Sequence, residues 1–305
     1  MKKTFERARN FMYRNARPID LARWQYHFEN GTQEAVLAAL EVYQNPDGGF
    51  GHALEADCFN PNSSPIQTWA ATEVLREIGW QDAAHPIVQG ILCYLESGAD
   101  FDTAQNQWLN CVPTNNEYPH AIWWEYKAEQ ELRYNPTAAL AGFVIRFGKP
   151  QTSGYQKAQE MVQQAYAWFN NNVPFQESHT TNCFITMYEY LTAAGVDWMD
   201  LEELKQKLIL QVEVNICHET EKWGKEYVAL PSNMISGKNS MFYESNKEIA
   251  EKECDFIREL QQVDGAFPVT WQWWTEYREF ELAANWWKAD FCVKNLRYCK
   301  RMGRL

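Results

Sequence analysis

A short phrase that occurs twice constrains this chain more than any other feature in it. Tyr43-Gln44-Asn45-Pro46-Asp47-Gly48-Gly49-Phe50-Gly51 follows one helical pattern, and Leu260-Gln261-Gln262-Val263-Asp264-Gly265-Ala266-Phe267 follows another. Both read helix, Gln, two residues, Asp-Gly, a small residue, Phe, loop, helix. Asp-Gly favours a tight turn because glycine accepts positive φ without a Cβ clash. The Phe can then plug the groove between neighbouring helices. A recurring helical hairpin buries its apolar face only by stacking on its neighbours, so the phrase predicts an array. An array that curves enough closes on itself.

The rest of the chain agrees with helices throughout. Apolar residues recur at helical spacing over about 33–44, 65–79, 84–97, 155–170, 180–194, 201–215, 246–262 and 281–300, and alternating strand patterns are scarce. Ser64-Pro65 is a start signal, with Pro at the first helical position. Gly79, Gly98, Gly148 and Gly195 stand where helices should stop. Thr137-Ala138-Ala139-Leu140 and, more loosely, Thr72-Glu73-Val74-Leu75 repeat a second small pattern. Longer loops are expected over 99–134 and 216–240. The fold class expected is all-α: one α/α toroid over 1–305, of about five to six helical hairpins, with 1–30 as an N-terminal helical segment closing the ring.

Charge narrows the partners. The chain holds 28 Lys and Arg against 40 Asp and Glu, a formal net charge of −12 over 305 residues. That balance disfavours a nucleic-acid partner, since nothing offsets phosphate repulsion. Positive charge gathers at the two ends (Lys2 to Arg23, Lys294 to Arg304), which either solubilises an acidic body or, in a closed ring, forms one basic patch. The longest apolar stretch, Thr137 to Phe147, is broken by Gly142 and Arg146 and falls short of the roughly 20 residues that span a bilayer. The start of the chain lacks the apolar core of a signal peptide. The 8 cysteines show no CxxC spacing. They read as reduced, mostly buried thiols of a cytoplasmic protein.

The phrase Gln44 to Gly51, with a helix some fifteen residues later ending Leu75-Arg76-Glu77-Ile78-Gly79, resembles the prenyltransferase/squalene-cyclase repeat. The stretch Asn45 to Pro65, including Leu54-Glu55-Ala56-Asp57 and Asn60-Pro61-Asn62-Ser63-Ser64-Pro65, is similar to a bacterial single-domain branch of that superfamily. The resemblance implies an α/α toroid with inner and outer helical rings and a central cavity, the fold of terpenoid cyclases and protein prenyltransferases. Similar folds serve many functions, so it implies the fold more than the activity. The Asp-x-Asp-Asp acid of class II cyclases is absent, the nearest match being Glu55-Ala56-Asp57-Cys58, and so is the Gly-Cys-Gly-Glu-Gln of thioester proteins. Protein prenyltransferases hold Zn²⁺ through an Asp-x-Cys pair and a distant His. Asp290-Phe291-Cys292 matches the pair, with His179 as a weak third candidate, but residues two apart on a helix point about 200° apart. No cofactor is therefore expected, zinc being the weak exception, and Cys292 reads as a core thiol.

Three clusters carry the candidate site. His52, Glu55 and Asp57 crowd the loop after the first Asp-Gly turn. Two carboxyls two residues apart repel, and burial would hold one protonated as a general acid; the alternative is a cap, or a pair with Arg17 or Arg23. Asn116, His120, Trp123 and Trp124 lie on the long 99–134 insertion, where a loop of such length is often functional. Trp271, Trp273 and Trp274 lie at the matching place in the last repeat. Adjacent Trp residues cannot all be buried on one face. The chain holds 14 Trp, 15 Tyr and 16 Phe, and such aromatics bind carbocations, sugar rings or apolar chains alike. The leading expectation is a toroid binding or acting on an isoprenoid or similar apolar ligand, with Asp57, Glu55 and His52 as catalytic candidates and the other named residues lining the cavity. The alternatives are a carbohydrate-active or glycan-binding α/α barrel and a non-catalytic scaffold.

Overall fold

A computed structural model describes residues 1–305. Eleven α-helices and five short 3₁₀ helices together hold 58% of the chain, and the one sheet is a pair of two-residue antiparallel strands, β1 (Phe101–Asp102) and β2 (Gln107–Trp108). No helix is long and apolar enough to cross a membrane. The chain forms two compact units: residues 41–214, and residues 1–40 together with 215–305.

In the first of these, α4 (Pro65–Ile78), α5 (Pro86–Ser97), α7 (Ser153–Asn172), α8 (Ser178–Ala194) and most of α9 (Leu201–Asn215) follow the expected starts and stops, and α6 (Thr137–Phe147) lies between α5 and α7. Ser64 Oγ accepts the Gln67 N–H at 3.3 Å ahead of Pro65, and Gly79, Gly98 and Gly195 end their helices in the left-handed conformation. The helix α6 escaped the periodicity reading for a physical reason. Ten of its 11 residues are buried, all but Arg146, so it has no solvent face and shows no 3.6-residue alternation. It is the centre of this unit. The rings of Phe143 and Phe147 stack on each other at 4.7 Å, and Tyr190 of α8 meets them at 5.8 and 6.1 Å.

In the other unit, α1 (Lys2–Asn15) and α2 (Pro18–Phe28) realise the helical segment expected over 1–30, and both pack on α11 (Phe280–Arg301). The two chain ends therefore meet. Lys300 Nζ donates to His27 O at 2.6 Å and Asn285 Nδ2 to Asn15 O at 3.2 Å. Much of the terminal positive charge is used internally. Arg23 sits between Asp20 and Asp290 at 3.1 and 2.8 Å, Arg17 pairs with Asp20, Arg9 with Glu29, Lys294 with Asp290, and Arg304 with Glu251 and Asp255. A buried guanidinium flanked by two carboxylates holds the first turns of the chain to its last helix.

The twice-written phrase folds twice into the same turn, once after α3 (Gln33–Glu41) and once after α10 (Lys247–Leu260). Asp47 Oδ1 accepts the Gly49 N–H and Asp264 Oδ1 the Ala266 N–H, both at 2.9 Å. Gln44 Nε2 donates to Gly48 O and Ile87 O, and Gln261 Nε2 to Gly265 O and Thr4 O. Gly48 and Gly265 have φ of 89° and 100°, and a Cβ on them would lie 2.1 Å from Gly90 O and 2.3 Å from Arg7 O. Only glycine meets both demands. Ile87 and Gly90 are one helical step apart on α5, as Thr4 and Arg7 are on α1. The two turns therefore dock on the same three-residue register of two different helices.

Candidate functional site

The loop after the first turn runs back across the start of α4 and meets the long insertion. Cys58 and His120 form an antiparallel backbone bridge, the Ala121 N–H donates to Asp57 O at 2.9 Å, and the Phe59 N–H donates to Pro119 O at 2.9 Å. Two of the three clusters read from the sequence are thus brought together. Opposite residues of an antiparallel bridge project to one side, so Cys58 and His120 share a face.

Around this junction lies a buried polar network. Asn115 has no exposed surface; its Oδ1 accepts from Asn60 Nδ2 at 2.9 Å and its Nδ2 donates to Trp124 O at 2.9 Å. Asn60 Nδ2 also donates to Thr114 Oγ1 at 2.8 Å. On α4, Gln67 accepts the Glu55 N–H at 2.7 Å and donates to Cys58 O at 2.9 Å. The Asp57 N–H donates to Glu55 Oε2 at 2.9 Å. Glu55, Asp57 and His120 are all buried, at 8%, 2% and 6% exposure. The loop thus supplies a backbone N–H to the Glu55 carboxyl two residues before it.

His120 Nδ1 lies 2.6 Å from Tyr118 O. A carbonyl only accepts, so Nδ1 carries a proton and donates this hydrogen bond. Burial raises the Cys58 thiol to about 12, with the nearby Glu55 charge adding and hydrogen bonds from Asn60 and Gln67 opposing. Burial likewise raises Cys111 to about 12. Neither is a thiolate nucleophile near neutral pH. All 8 cysteines are free and 6 are buried, Cys93 and Cys217 being the exceptions. The indole Nε1 of Trp124 is buried without a hydrogen-bond partner, a donor facing no acceptor of this chain.

The remaining expected residues separate. His52 is exposed, and its Nε2 lies 2.9 Å from Asn45 Oδ1 on the turn. Asn116 is exposed and clamps Tyr126, accepting its N–H at 2.7 Å; the inward amide is its neighbour Asn115. Trp123 is 39% exposed, with its carbonyl on Cys111 Sγ at 3.3 Å. Trp271 packs edge-on against Tyr227, Trp287 and Phe291 at 5.5, 5.4 and 5.8 Å. Trp273 is buried at 1% exposure, whereas Trp274 is 71% exposed.

No group of three or more His, Cys, Asp or Glu side chains is arranged to hold a metal ion. Asp290 is instead engaged by Arg23 and Lys294. Burial works against its charge, but those two cations outweigh it and hold the carboxyl below its ordinary value. Burial keeps the Cys292 thiol protonated, and His179 is exposed in the first turn of α8, its N–H on Glu177 Oε1 at 2.9 Å. Asn60, Gln67 and Asn115 were missed as site residues. Their one sequence signal was an excess of amides flanking both loops, which also describes ordinary turns. Comparison with known protein families, with curated proteins and with solved structures finds no match to this chain.

Proposed function

We propose that this chain is an α/α toroid of six helical hairpins that binds a glycan where its 52–64 and 111–126 loops join. The toroid is supported by the two turns. The turn after α3 docks on α5, two helices further on. The turn after α10 docks on α1, which lies two helices further on only if the array runs from its last helix into its first. The hairpins are then α1–α2, α3–α4, α5–α6, α7–α8, α9 with the 216–246 loop, and α10–α11. In the fifth, a loop of short 3₁₀ turns stands in place of an inner helix.

The glycan reading rests on one observation: the Cys58–His120 bridge joins an acidic loop to a tryptophan-bearing one. The residues gathered there are amides, carboxyls, an imidazole and an indole N–H that faces no acceptor. Such groups match a ligand rich in hydroxyl oxygens that enters where the two loops join, with Asp57 and Glu55 as the acids if the protein is a carbohydrate-active enzyme. An isoprenoid or similar apolar ligand is the second reading. It is supported by the repeat and by the ring cluster of Trp271, Trp287, Phe291 and Tyr227.

Calorimetric titration with neutral oligosaccharides tests the first reading. Trp124→Phe keeps the ring and removes the donor, and should weaken binding roughly three- to tenfold; Asp57→Asn should abolish any turnover while the protein stays folded. If no oligosaccharide binds, or Trp124→Phe binds as wild type does, the glycan reading fails. A prenyl lipid found by mass spectrometry of the purified protein would carry the second reading instead.

A further inference from the structure

Seven non-glycine residues have positive φ, among them Tyr134 (61°), His52 (59°) and Trp274 (57°). This conformation is strained for an L-residue, whose Cβ crowds the backbone. At Tyr134 the cost is offset in place: the side chain is buried against Trp168 and Phe184, and its N–H donates to Gln107 Oε1 at 2.6 Å. The exposed His52 ring is held by Asn45. Trp274 has no such return. Its indole is 71% exposed and enters no ring stack or hydrogen bond. A strained backbone therefore turns a large apolar side chain away from the protein, while its neighbour Trp273, 1% exposed with its ring 6.0 Å from Phe280, holds the loop down.

The surroundings select the partner. Residues 274–278 are all exposed, and they place Thr275, Glu276 and the second aromatic Tyr277 beside the indole, with Gln272 exposed before it. The buried core of a protein interface is depleted in charged residues, whereas these neighbours include a carboxylate and a guanidinium beside a hydroxyl and an amide. A polyanion or an anionic membrane needs cations. The loop offers Arg278 against Glu276 and Glu279, on a chain of net charge −12. A flat apolar face with a margin of hydrogen-bonding groups and no excess of cations matches a neutral pyranose ring, whose C–H face is apolar and whose rim is hydroxyl. We propose that Trp274, together with Tyr277, is a stacking platform for the sugar rings of a neutral polysaccharide. The platform stands on this loop alone and goes beyond the Asp57–His120 site.

Native gel electrophoresis of the full chain through gels cast with soluble starch, hydroxyethyl cellulose, glucomannan or arabinoxylan reads the interaction as retardation. One of these polymers should slow the wild type, and Trp274→Ala should weaken that retardation roughly tenfold or more. Trp274→Gly should lose it equally while melting no earlier than wild type, because glycine accepts the same φ without strain; this separates lost contact from lost fold. Val42→Ala, at an apolar residue 75% exposed outside this loop, should be retarded as wild type is. The proposal is overturned if no neutral polymer retards the wild type, or if Trp274→Ala is retarded as strongly. It is also overturned if Val42→Ala loses retardation equally, since the effect then does not belong to this loop.

Discussion

Glu253 is a buried acid without a counter-ion, and Glu253→Gln should change how stability depends on pH. The side chain, on α10, has no exposed surface. Its two oxygens accept from the Ser232 N–H at 2.7 Å and the Ser232 hydroxyl at 2.6 Å. Tyr298 of α11 also faces it, and no cation does. Burial raises the carboxyl from 4.5 to about 7, with the Ser232 and Tyr298 hydrogen bonds opposing. The folded state therefore holds this proton more tightly than the unfolded chain. Its stabilising effect is complete below about 4.5, and it is lost as pH rises through about 7. At about 1.4 kcal/mol per pH unit, and with titration incomplete at both limits, the loss between pH 5 and pH 8 is roughly 2–3 kcal/mol. Urea unfolding of wild type and Glu253→Gln at pH 5, 6, 7 and 8 measures it. Other titrating groups cancel in the difference between the two proteins. That difference should drift by roughly 2–3 kcal/mol in favour of the variant from pH 5 to pH 8. A difference constant across the range would refute the reasoning, because it would mean that the buried carboxyl is no harder to ionise than an exposed one.

Two further substitutions probe the frame. Gly265→Ala asks a Cβ to stand 2.3 Å from Arg7 O at a φ of 100°. Chemical denaturation should show a loss of about 2–5 kcal/mol, combining left-handed strain with overpacking; a loss under about 1 kcal/mol would mean that the turn does not dock as described. Asp290→Asn removes one of the two carboxylates at Arg23. It should cost roughly 3 kcal/mol near neutral pH, the lower end for a broken buried pair because Asp20 still faces Arg23. The carboxyl is held low when folded, so its contribution is present above the ordinary carboxylate range and lost as pH falls through the folded value. Unfolding midpoints of wild type and Asp290→Asn should then converge in acid, and parallel profiles down to pH 2 would exclude the ion pair as the source.

Most of the helices were legible because their information is local. A cap such as Ser64-Pro65, a stop such as Gly79 and an amphipathic stripe each act within a turn or two of the backbone. The exception, α6, is instructive: a helix buried on every side carries no periodic signal, and its identity is decided by packing against α7 and α8 rather than by a pattern within its own residues. The Gln-x-x-Asp-Gly phrase was legible as a turn. What it docks against was not, because Gly90 and Arg7 share no letter. What these positions have in common is a backbone carbonyl at the same helical step, and a carbonyl has no side chain to read.

The site was legible only in part, for the same reason. The acids at Glu55 and Asp57 and the aromatics after Asn116 stand out by composition, but two backbone hydrogen bonds, Ala121 N–H to Asp57 O and Phe59 N–H to Pro119 O, bring them together, and any sequence could make those bonds. The third cluster shows how far letters alone go. Trp273 and Trp274 are identical neighbours, yet one is a core residue and the other is the most exposed tryptophan described above. One dihedral at Trp274 separates them. A two-residue strand period would also send neighbours to opposite faces, but it would leave the indole lying over polar loop atoms at no conformational cost. The left-handed turn instead spends about 1–2 kcal/mol to lift it clear. A cost of that size, with nothing inside the chain to offset it, is better explained by a contact outside the chain than by packing within it.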